Sequence, residues 1–129
     1  MKKMLPLLLL LPLLTGCGAR PARNTYRQIT QAEALRMMET ERDYIILDVR
    51  TPAEFAERHI PGALNVPNEA IGDTAPAQLP DKGQLILVYC RSGNRSKQAS
   101  EKLSALGYTN IVEFGGINTW PGETVSGAQ

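Results

Sequence analysis

"LILVYCRSGNRSKQASEKLSALG", residues 85–107, switches its pattern twice, and those switches decide the fold. Leu85 to Tyr89 form an unbroken apolar run of strand length, as expected for a central strand covered on both faces. "SKQASEKLSALG" predicts a helix from about Ser96, ended by Gly107 in the left-handed stop position. Between the two lie Cys90 and a short turn, Arg91 to Arg95.

The same alternation continues outward. "YRQI" (Tyr26 to Ile29) predicts a short strand, and Thr30 with Glu33 forms a capping-box pattern before a helix with Ala34, Leu35 and Met38 on one face. "YIILDV" (Tyr44 to Val49) is a second buried strand. In "TPAEFAER", Thr51 is the cap, Pro52 the first helical residue and Glu54 the return partner. Ala63 to Val66 form a short strand after a Pro-Gly turn, residues 72–83 a loop, and "NIVEF" a last strand before "GG" and a turn through Trp120. Strands alternating with helices predict an α/β fold, a mainly parallel sheet of about five strands flanked by helices on both faces. In such sheets ligands bind beyond the carboxyl ends of the strands, which is where Cys90 falls.

The N-terminus is of another kind. Lys2 and Lys3 precede an apolar run, Met4 to Leu14, too short to span a bilayer, which needs about 20 residues, and interrupted by Pro6 and Pro12. This is the pattern of a signal peptide. "LTGC" (Leu14 to Cys17) follows it and resembles the lipobox of bacterial lipoproteins. The resemblance implies cleavage after Gly16, lipid on Cys17, and an extracytoplasmic, periplasmic-side attachment to the cell membrane or outer membrane. Gly18, rather than an Asp, then favours the outer membrane if the source has one. The alternatives are an ordinary signal with an accidental cysteine, and a Cys17–Cys90 disulfide. The expected organisation is signal peptide 1–16, lipidated Cys17 and a polar tether to 25, one domain over 26–122, and a flexible tail 123–129.

Removing Lys2 and Lys3 from 14 basic residues leaves 12 against 13 acidic ones, a formal balance of −1. That balance gives no footing for nucleic acid. About 100 residues suffice for one small core. Two cysteines and one histidine offer no metal constellation, and the Gly115–Gly116 pair lacks dinucleotide spacing, so no cofactor is expected.

If Cys17 carries lipid, Cys90 is an odd thiol. A cysteine ending an apolar strand is more often a small buried hydrophobe than a nucleophile. Here three features favour the thiolate, the reactive form. Gly93 and Asn94 let residues 91–95 curl into a cup of inward N–H groups. The following helix aims its positive end at the same point. Arg91 and Arg95 add two cations, of which Arg95, next to the helix start, is the expected participant and Arg91 the rim residue.

At these residues the chain resembles the rhodanese family in its single-domain form. "LDVRTPAEFAERHIPGALNVP" (Leu47 to Pro67) is similar to the family's upstream signature, "VYCRSGNRS" to its active-site loop, and "GGINTW" (Gly115 to Trp120) to its closing motif. Arg58 departs from the pattern, standing where the family commonly has glycine before His-Ile. Related phosphatases and arsenate reductases have a loop one residue longer; here only Arg91, Ser92, Gly93 and Asn94 separate Cys90 from Arg95. The tighter cup suits a single sulfur atom better than a tetrahedral oxyanion.

The resemblance implies a thiosulfate sulfurtransferase. Cys90 would be the nucleophile and persulfide carrier, with Arg91, Ser92, Gly93, Asn94 and Arg95 holding sulfur and donor. Its partners would be a small anionic sulfur donor and a thiol, cyanide or protein thiol acceptor, and the protein is expected to be a monomer. A non-enzymatic sulfur carrier that docks a partner protein is the alternative. Asp48, Arg50 and Glu54 are expected to form a charge-paired brace under the loop, with Arg50 the member that could reach substrate. His59, at a helix end, is expected to bond backbone rather than move protons.

Overall fold

The computed structural model describes residues 25–128. The elements are β1 (Arg27–Gln28), α1 (Gln31–Thr40), β2 (Tyr44–Asp48), α2 (Pro52–Glu57), β3 (Leu64–Asn65), β4 (Leu85–Cys90), α3 (Asn94–Ala105) and β5 (Ile111–Gly116). Short 3-10 turns occupy Asn68–Ala70 and Ile117–Thr119. The five strands form one sheet in the order β1-β5-β4-β2-β3, and every pairing is parallel. The α/β class, the strand count and the central position of β4 are as the sequence predicts.

Side-chain alternation along β4 builds the core on both faces. Ile86, Val88 and Cys90 face Ala99 and Leu103 of α3, together with Leu47 and Ile111. Leu87 and Tyr89 face Ala34 of α1 and Phe55 of α2, with Ile46, Val112 and Phe114. Met37 joins Met38 against this second face, a place expected for Leu35. Complete burial of such side chains contributes about 1.5–3 kcal/mol each, and it is this two-sided burial that holds the end of β4 rigid under the loop.

Local signals act where they were expected. Thr51 accepts from the Glu54 N–H while Glu54 reaches back to the Thr51 N–H, a complete capping box with Pro52 in the first turn. Gly107 has φ +99° just after α3. Three expectations need correction. Helix α3 starts at Asn94 rather than near Ser96, because Gly93 at φ +108° turns the chain at the cap position and shortens the loop. Strand β5 continues past Phe114 to Gly116 through a register shift: Val88 pairs with Glu113, but Cys90 pairs with Gly116. The extra residue is taken up around Gly115 at φ +91°, a bulge built on a glycine.

The third correction concerns the C-terminal segment, expected to be a flexible tail. Val125 and His59 exchange both backbone hydrogen bonds at 2.8 Å, and the Gly127 N–H donates to the Ala56 carbonyl. The chain leaving α2 presents unpaired backbone groups, and this segment satisfies them despite its polar composition. The signal peptide, Cys17 and most of the tether lie outside the described residues.

Candidate active site

Cys90 ends β4 at the carboxyl edge of the sheet and is 1 % exposed, so its sulfur lies beneath the loop rather than open to solvent. It is a free thiol among the described residues. The Gly93 N–H donates to Sγ at 3.0 Å, and this amide is the contact through which the expected cup engages the sulfur. Ser92 on the loop and Asn94 at the start of α3 are both exposed. The sequence reasoning missed Ser96. Its Oγ lies 3.4 Å from the sulfur and 2.7 Å from Oε1 of Glu113, a carboxylate that is 3 % exposed. A lone acid inside the apolar "NIVEF" was the available signal.

The arginines divide differently from expectation. Arg95 is gripped by Glu54 through two hydrogen bonds, 2.7 and 2.9 Å. That pairing holds the Glu54 carboxyl down at about 2, with the Thr51 contacts assisting and burial opposing. It raises the Arg95 pKa against a smaller effect of burial. The charge expected to activate Cys90 is thus largely committed to an acid. The expected brace of Asp48, Arg50 and Glu54 is two separate pairs. In the buried one, Arg50 Nη2 meets Asp48 Oδ2 at 2.6 Å, and Arg50 also donates to the Arg58 carbonyl. Burial works against the Arg50 charge, but the Asp48 contacts more than offset it and raise its pKa. Burial, then Asp48, raises the Tyr89 phenol well above its ordinary range, and its hydroxyl accepts the Ile60 N–H.

The pair between Glu54 and Arg95 ties α2 to the first turn of α3. Arg95→Ala is expected to cost about 1 kcal/mol at neutral pH, the upper end for a partly exposed pair. The lowered folded-state value means this stability is complete above about 4.5 and disappears as pH falls through about 2. Urea midpoints of the parent and Arg95→Ala should therefore converge across that window. A constant gap would mean that the loss is packing.

His59 bonds backbone as expected, with Nδ1 2.8 Å from the Phe55 carbonyl and its ring stacked on Phe55. Arg91 is exposed, with no ion pair among the described residues, and lines a cavity of about 380 Å³ with Arg50, Glu54, Arg58, Ile117 and Asn118. A larger hollow of about 840 Å³ sits at the opposite end of the sheet, beside Asp43, Leu85 and Asn110, and plays no part in this site.

A cysteine at the carboxyl end of the central strand, capped by a glycine-turned loop and a helix start, is an arrangement for sulfur-based nucleophilic chemistry. The profile of the rhodanese-like domain matches residues 30–123, and the chain belongs to that family. It is 38 % identical over 71 residues to "Thiosulfate sulfurtransferase PspE" of Escherichia coli, covering 55 % of this chain and 68 % of that one. To "Thiosulfate sulfurtransferase GlpE" of Pseudomonas syringae it is 34 % identical over 102 residues, 75 % of this chain and 91 % of the other. A solved structure described as a rhodanese with anions from E. coli superimposes with a TM-score of 0.60 at 34 % identity, covering 65 % and 99 % of the two chains.

Proposed function

We propose that this chain is a sulfurtransferase that moves sulfane sulfur from thiosulfate, or a similar small anion, to a thiophilic acceptor through a Cys90 persulfide. The observation that carries this reading is the Gly93 N–H on Sγ at 3.0 Å, at the end of the central strand. A backbone donor fixed there favours negative charge on sulfur.

In the first half-reaction the Cys90 thiolate attacks the outer sulfur of thiosulfate. The new S–S bond forms as the donor's S–S bond breaks, and sulfite leaves with the electron pair. In the second, the acceptor attacks the outer sulfur and Cys90 departs as thiolate. Charge and atoms balance in both halves, and the scheme is a ping-pong covalent cycle. Arg91 is the cation best suited to the donor: Arg95 and Arg50 are already paired, and Arg58, which lines the same cavity without an ion pair among the described residues, lies outside the loop that follows Cys90. Arg91→Ala should raise KM for thiosulfate severalfold and make it less sensitive to salt, with kcat little changed. A fall in kcat alone would remove Arg91 from donor binding. Repeated thiocyanate formation from thiosulfate and cyanide supports the enzyme; a single stoichiometric loading of Cys90 supports a carrier that docks a partner protein.

The proposal includes a lipid anchor at Cys17 on the extracytoplasmic face, supported by Leu14 to Cys17 directly after the apolar run. Cys17→Ala is expected to leave unprocessed precursor or mislocalised protein on membrane fractionation. Parent protein found in the soluble periplasmic fraction would count against the anchor.

A further inference from the structure

Glu113 has no task in the chemistry above, yet it sits nearly solvent-free beside it. No salt bridge holds its carboxylate among the described residues; its donors are Ser96 Oγ at 2.7 Å and the Gly115 N–H at 2.9 Å. The bulge at Gly115 and the start of α3 at Asn94 bring these groups together on the face of the sheet that carries Cys90. Burying a carboxylate with so little compensation is costly, which makes its place near the nucleophile worth explaining.

Ser96 supplies the explanation, because a hydroxyl has one proton to give. Around its Oγ stand Glu113 Oε1 at 2.7 Å, the Gly93 carbonyl at 2.9 Å, the Gly115 carbonyl at 3.4 Å and Cys90 Sγ at 3.4 Å. The short, charge-assisted contact with Glu113 takes the proton. Cys90 then has to be the donor toward Ser96, so the chain runs from Cys90 S–H to Ser96 O–H to the carboxylate. Charged and titratable groups facing this chain are Arg95 and Lys97 of α3 and Tyr26 ahead of β1. Arg95 is tied to Glu54, and Lys97 lines a cavity with Glu113. The Tyr26 phenol is raised by burial, then by Glu101 and Glu113.

We propose that Glu113, acting through the single proton of Ser96, is a positioning residue that holds Cys90 as the thiol at rest. Its buried negative charge opposes a second charge on the neighbouring sulfur, and by accepting the Ser96 proton it denies the sulfur that donor. When the nucleophile forms, the Cys90 S–H bond breaks with its electron pair left on sulfur, and the proton passes to water. The inference rests on Cys90 being the nucleophile of the sulfurtransferase reading.

Iodoacetamide reacts with the thiolate and needs no sulfur donor, so it tests the lock separately from that reading. The full chain is alkylated across a pH series, and the Cys90 peptide is quantified by mass so that Cys17 does not contribute. Glu113→Gln removes the opposing negative charge at nearly constant shape and should speed alkylation near neutral pH about tenfold, with the rate–pH curve displaced to lower pH. Glu113→Ala, a second neutral variant, should do the same if the carboxamide is not accommodated. Glu113→Asp keeps the charge and should keep the slow parental curve. Coincident curves for the parent and the neutral variants, or a Glu113→Asp curve matching theirs, would overturn the lock. Absence of thiocyanate formation would instead remove the sulfurtransferase reading and leave the alkylation result standing.

Discussion

Cys90→Ser is expected to abolish thiosulfate-to-cyanide transfer, a loss of at least about a thousandfold, while the fold is retained. The argument is chemical first. A serine hydroxyl is not ionised at neutral pH and has no persulfide chemistry, so neither half-reaction has a substitute nucleophile. It is also structural. Serine is close to cysteine in volume, it can accept the Gly93 N–H, and it remains within reach of Ser96. Position 90 is fully enclosed and packed against the α3 face, so a small polar swap there should cost on the order of 1 kcal/mol, visible as a modest fall in Tm. Two measurements decide it. Thiocyanate production should vanish in the variant, and the sulfur-mass adduct on the residue 90 peptide should be confined to the parent. Turnover comparable to the parent would remove Cys90 from the role assigned to it.

The contrast between what was legible and what was not follows the range of the interactions. Thr51, Pro52 and Glu54 announce their helix because the capping box closes within three residues. β4 announces itself because burial on two faces demands an unbroken apolar run, and its last residue then falls at the ligand-binding edge. The charge pairing was misassigned for the opposite reason. Glu54 is nearer in sequence to Arg50, but Arg50 folds back onto Asp48, and α3 delivers Arg95 from 41 positions away. Glu113 and Ser96 meet through tertiary packing, with β5 holding Glu113 opposite Val88 while α3 lies on the same face, and the bulge at Gly115, which two adjacent glycines permit but do not specify, adds the Gly115 N–H. The C-terminal segment read as flexible because its composition is polar, whereas its order comes from backbone groups that every residue carries.

Gly116→Ala is expected to be the most damaging single-methyl change in the described residues, and it isolates what the closing glycine pair does for the loop. Gly115 needs its glycine for a positive φ, but Gly116 does not: φ −134° and ψ 154° are ordinary extended values. Its constraint is space. A Cβ built there would stand 2.1 Å from the Arg91 carbonyl oxygen, 2.4 Å from its carbon and 2.6 Å from the Ser92 nitrogen. All three are backbone atoms, so no rotamer change relieves the clash. The Arg91 carbonyl is further held by the Asn118 N–H, and the Gly116 carbonyl by Gln31 Nε2. Either the end of β5 or the first residues after Cys90 must therefore move. Moving the latter carries the Gly93 N–H off the sulfur, and a displacement near 1 Å at a reacting centre is worth about a hundredfold in rate. Gly116→Ala should thus lose about two orders of magnitude in sulfur transfer and about 1–3 kcal/mol in stability. Gly72→Ala, with open space around its Cβ and no positive φ, is the matched control and should be near neutral in both. Equal effects at the two positions would show that the loop gives way freely, and that its contact with β5 does not set the position of the Gly93 amide.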